Sequence, residues 1–140
     1  MKGILYNPKR PVTKATVYQL AYDMHCLSMQ WIEGHKELVS QDEKLKMVFS
    51  FIDGENDAYN FCMIHLFHLQ GPFVVGEFLE LLQGWIEFYC SKQKEIEIKD
   101  EKVKMFNAGY ENGLRHIRDF VSTGLDNCFP AYGGDVCTKR

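Results

Sequence analysis

Asn56-Asp57-Ala58-Tyr59-Asn60-Phe61-Cys62-Met63-Ile64-His65-Leu66-Phe67-His68-Leu69-Gln70-Gly71-Pro72 is an apolar run closed by a helix-breaking dipeptide, and its reading sets the fold class. Ala58, Phe61, Cys62, Leu66 and Leu69 fall on one stripe of a 3.6-residue repeat, whereas Phe61–His68 is also dense enough for a buried strand. Ile64 is the one β-branched residue of that run, and the run is long for a strand. The segment therefore reads as a helix opening at Asn56 or Asp57 and closing at Gln70, before Gly71-Pro72. A strand at 61–68 would turn the class from all-α to α+β without moving the other elements.

Working toward the N-terminus, Ser40-Gln41-Asp42-Glu43 has the form of a capping box, followed by Leu45, Val48, Phe49 and Ile52 at helical spacing. That helix is expected to stop near Asp53-Gly54. Earlier still, Thr13 suits an N-cap, Val17, Leu20, Ala21, Met24, Leu27, Ser28 and Trp31 form a stripe, and Gly34 reads as the stop. Toward the C-terminus, Val75, Phe78, Leu79, Leu82, Trp85, Ile86 and Tyr89 give the widest apolar face, which predicts the central helix of the fold. Residues 92–104 hold five lysines and four acids and read as a solvated connection, with a short extended piece near 95–98. Asp100 then caps a last helix carrying Val103, Phe106, Tyr110, Leu114, Ile117 and Val121, ended by Gly124. Gly109 and Gly113 lie four apart inside it, a spacing that fits close helix packing over a small-residue groove, with a kink or a docking groove as the other reading. The sum is one mostly α domain of about five helices over 13–124, preceded by an extended basic arm at 1–12 and followed by a turn-rich tail at 125–140.

The chain has 140 residues, 46% of them apolar and 14% aromatic, enough to build a single core. Sixteen cations against nineteen acids leave a net charge of −3, so the whole chain carries no polycation field of the kind duplex nucleic acid calls for. The apolar run after Lys2 is broken by Asn7 and Pro8, and the longer apolar stretches carry charges. A signal peptide and a membrane span are therefore not expected. Five widely spaced cysteines (Cys26, Cys62, Cys90, Cys128, Cys137) and no glycosylation sequon point to a reducing, cytoplasmic setting with free thiols. Cys62 and Cys90 read as small buried hydrophobes, and Cys128–Cys137 pairing is the lesser reading of the tail.

The sharpest chemical alternative is a metal or thiol site built from Cys62, His65 and His25. On one helix Cys62 and His68 point about 120° apart, so this segment alone cannot converge its ligands, and the spacings of structural zinc sites are absent. Adjacent His25 and Cys26 diverge on their helix and cannot pair as thiolate and imidazolium. No nucleophile elbow, phosphate-binding loop, dinucleotide fingerprint, paired-histidine zinc motif or calcium loop is present, and the acids fall where caps, turns and a wet helix face already account for them. No cofactor is expected.

Elimination together with an aromatic-rich composition leads to a non-enzymatic binding or regulatory protein acting on a larger protein partner. Twelve lysines against four arginines and only five alanines match AT-rich genomes, many viral ones included, which narrows the expectation toward a viral or phage-type modulator of a host machine. The expected contacts are Tyr6, Lys9, Arg10 and Lys14 on the arm and Phe129 and Tyr132 on the tail. The broad apolar face of Phe73–Tyr89 adds homodimer formation to the expectations. An arm contacting nucleic acid stands as the second alternative, beside the arm lying on its own acidic domain.

Overall fold

The computed structural model describes residues 11–38, 41–95 and 100–124, and these form four helices with no strand among them: α1 (Lys14–His35), α2 (Glu43–His68), α3 (Val75–Glu95) and α4 (Glu101–Ser122). Thr13 begins α1 with a reciprocal cap, its hydroxyl accepting from the Thr16 amide at 3.1 Å while the Thr16 hydroxyl accepts from the Thr13 amide at 2.9 Å. Asp100 caps α4 by accepting from the Lys102 amide at 2.9 Å. Gly71 at φ 87° and Gly124 at φ 76° adopt left-handed turns just beyond α2 and α4, a conformation that side chains with a Cβ avoid.

Several expectations change. The segment 61–68 is helical, as the sequence reads, and the alternative strand does not form there; the five expected helices become four because α2 runs unbroken through Asp53-Gly54. Asp42, accepting from the Lys44 amide at 2.8 Å, is the cap of α2; Ser40 lies outside the described residues. Gly34 falls inside α1, which continues to His35 with Lys36 as its cap. The piece near 95–98 is helical at Glu95, where α3 ends, and 96–99 lie outside the described residues. Cys62 is fully buried as expected, while Cys90 is only half-buried.

Gly54 fails as a stop because it is a contact. A Cβ on Gly54 would overlap the backbone oxygen of Phe106, one on Gly109 would overlap that of Phe51, and one on Gly113 would lie 2.8 Å from Ala58 Cβ. Gly54 and Ala58 on α2 thus meet Gly109 and Gly113 on α4, two pairs of small residues four apart, so that the backbones touch. A glycine inside a helix costs about 1 kcal/mol relative to alanine, and at these three positions close packing offsets it.

Phe51 faces Gly109, Glu55 reaches Asn112 and Tyr59 reaches His116, so α2 and α4 run parallel. The other neighbours are antiparallel: α1 on α2, with His25 beside Asn56 and Trp31 beside Phe49, and α3 on α4, with Tyr89 stacked on Tyr110 and Gln83 beside Arg118. The central helix is α2, between α1 and α4, rather than α3; the wide apolar face of α3 is divided between the core and the surface. Leu20, Leu66, Leu82 and Leu114, one from each helix, are fully buried, and each such side chain contributes about 1.5–3 kcal/mol. Among the described residues no helix is long and apolar enough to cross a membrane.

Candidate functional site

Two arrangements stand apart from ordinary core packing. The first is a polar seam beside the glycine contacts. Asn112 Nδ2 donates to Glu55 Oε2 at 2.6 Å and lies 3.4 Å from His116 Nε2, while Tyr59 OH and His116 Nδ1 share a hydrogen bond of 3.0 Å. His116 Nδ1 is 3.8 Å from Glu55 Oε2. Burial holds the Glu55 carboxyl above its ordinary range, with the Asn112 donor opposing, and burial holds the His116 imidazole below its own, with the charge of Asp119 opposing. One residue along α2, Asn56 Oδ1 faces the other way and meets His25 Nδ1 on α1 at 2.7 Å. These groups satisfy one another and fix the register of three helices.

The second arrangement is on α3. Ile86, Leu82 and Phe78 take the core-facing stripe, which turns Trp85 (38% exposed) and Phe88 (45% exposed) outward. Their rings are not loose: Trp85 packs edge-on against Phe88 at 5.4 Å and against Phe61 of α2 at 5.8 Å, and Lys92 Nζ stands 5.4 Å from the centre of the Phe88 ring. Leu81, Gly84, Trp85, Phe88 and Glu80 line a shallow hollow of about 360 Å³. Leu81 also borders a hollow of about 230 Å³ toward Phe73 and Pro72, so the apolar surface continues along the helix. On the α1–α2 side, Ile64 and Phe67 are more exposed still, beside a hollow of about 260 Å³. Phe67, however, makes its ring contact with the adjacent His68 rather than with a second helix.

The residues singled out from the sequence fall elsewhere. Lys14 is exposed at the start of α1, with Nζ 3.4 Å from the Leu69 carbonyl. Tyr6, Lys9, Arg10, Phe129 and Tyr132 lie outside the described residues. Cys62 sits in the core, where burial pushes its thiol up to about 12, so it is protonated at neutral pH. His65 lies between the rings of Phe61 and Phe78, and His25 is engaged by Asn56. Among the described residues no three His, Cys, Asp or Glu side chains gather in a way that could hold a metal ion. Glu55, Tyr59, Asn112 and His116 escaped sequence reading, although Glu55/Tyr59 and Asn112/His116 share an i, i+4 spacing that places each pair on one helix face. Comparison of the chain with protein-family models, curated proteins and solved structures finds no match.

Proposed function

We propose that the protein binds and regulates a larger protein partner through the aromatic face of α3, with no catalytic chemistry of its own. The observation that carries this reading is the pair Trp85 and Phe88, exposed yet held in fixed ring contacts. Rigid aromatic side chains bordering a shallow hollow and edged by charge are the composition of binding hot spots, because little side-chain freedom is lost on docking. Tyr6, Lys9, Arg10, Lys14, Phe129 and Tyr132 belong to the proposal as further contacts, and the lysine-rich composition supports a host-directed modulator as its narrower form. The polar seam supports a structural role more than a chemical one, since its groups are bonded to each other and none of the three hollows described above is lined by them.

Affinity capture from cells with the wild-type chain and with a Trp85→Ala/Phe88→Ala variant tests this reading. A partner retained by the first and lost by the second, at unchanged helical circular dichroism, is the expected outcome. Partners indifferent to the double substitution would overturn it.

A further inference from the structure

Six glycines lie within helices among the described residues; Gly34 and Gly76 fall in terminal turns of α1 and α3, and of the four away from helix ends, three, Gly54, Gly109 and Gly113, are explained by a backbone pressed against them. Gly84, in the middle of α3, is not: nothing lies within 4 Å of where its Cβ would be. The same weakening of the helix is accepted there with no internal contact to offset it. Gly84 is also the floor of the hollow walled by Leu81, Trp85 and Phe88. At about 100° per residue, Phe88, Leu81 and Trp85 fall about 40–100° to one side of Gly84, while Glu80 and Glu87 fall about 40–60° to the other and Glu77 stands nearly in line with it. All three glutamates are exposed, and no ion pair to another described residue neutralises them.

We propose that this face is the docking groove of a cationic amphipathic helix of the partner, which crosses α3 with its backbone against Gly84. Its apolar side lies on Leu81, Trp85 and Phe88, and its lysines or arginines face Glu77, Glu80 and Glu87. The occupant follows from charge. A second copy of the chain, paired antiparallel about a two-fold axis at Gly84, would bring Glu80 of each copy beside Glu87 of the other, acid against acid. A basic helix meets the same flank with opposite charge. The inference rests on the protein-binding reading above and adds the class of the partner.

The test uses the full chain carrying Trp31→Phe, so that fluorescence reports Trp85, titrated with an 18-residue leucine–lysine amphipathic peptide. Saturable one-to-one binding is expected, weakened at least tenfold by Gly84→Leu, which fills the groove floor, and by Glu80→Lys/Glu87→Lys. It should be unchanged by Gly34→Leu, whose Cβ position is equally open but lies on α1. A leucine–glutamate peptide and a scrambled leucine–lysine peptide should not bind. Equal binding of the scrambled peptide, indifference to Gly84→Leu in a variant that keeps its helical spectrum, or no binding at all would overturn the proposal. So would a dimer in sedimentation that Gly84→Leu dissolves, which would assign the groove to a second copy. Loss of the captured partner with Trp85→Ala/Phe88→Ala, in the face of a failed peptide test, would remove this inference and leave the protein-binding reading standing. A captured partner indifferent to that pair would remove both.

Discussion

The changes Gly84→Ala and Gly109→Ala add the same methyl group, and the structure gives them opposite effects. At Gly84 the methyl enters open space, so only the helix propensity changes, and the free protein is expected to gain about 1 kcal/mol. At Gly109 the methyl meets the Phe51 carbonyl, which belongs to a backbone that cannot rotate away, so a loss of at least about 1–3 kcal/mol follows from overpacking. Urea denaturation of the two variants checks both signs, and a gain at Gly109 would mean that the backbones of α2 and α4 are farther apart than described. Gly54→Ala should resemble Gly109→Ala, since it overlaps the Phe106 carbonyl from the other side.

At the scale of elements, the seam between α2 and α4 gives the protein two opposed pH responses. His116 is held below its ordinary 6.5, so it contributes stability that is complete above that pH and is lost as the pH falls toward its folded value, because the unfolded chain takes up the proton first. Glu55 is held above its ordinary 4.5, and its contribution is complete below that pH and is lost as the pH rises through its folded value. His116→Gln is expected to flatten the decline in urea midpoint below about pH 6.5, and Glu55→Gln to flatten the decline above about pH 4.5; profiles parallel to wild type would contradict the assignment. The caps Thr13 and Asp100 and the helical stripes were legible in the sequence because each depends on neighbours a few residues away. Close packing at Gly109 and Gly113 was legible too, from their spacing. Gly54 was not, since a glycine that ends a helix and one that lets another backbone in look alike until the second helix is placed. The Glu55–Asn112 and Tyr59–His116 pairs were hidden for the same reason, each partner being 57 residues away. The aromatic face was half legible: its width was visible along Phe73–Tyr89, but which part turned outward depended on α4 taking the other side.

For the whole molecule, the four helices should fold without residues 1–10. Pro11 holds the start of α1 through its carbonyl, which accepts from the Thr16 hydroxyl at 2.6 Å, and Val12 packs on the core. Deleting residues 1–10 is therefore expected to leave the melting temperature unchanged while weakening partner binding at least tenfold, about 1.4 kcal/mol. A lower melting temperature with normal binding would place the arm's contribution within its own domain. The parallel contact of α2 and α4 also bears on how fast the chain reaches its native state. Successive hairpins close short loops, whereas the glycine seam joins segments 57 residues apart, about two doublings beyond a 14-residue loop and so about 1.2 kcal/mol more costly in closure entropy. Contacts that distant in the chain are rewarded only after the intervening hairpin has ordered, which raises the mean sequence separation and slows folding relative to a bundle whose tightest pair is adjacent. If the seam zips after the main barrier, Gly113→Ala will speed unfolding and leave the refolding arm of the chevron in place, so the close approach of α2 and α4 would govern the native lifetime rather than the rate of assembly.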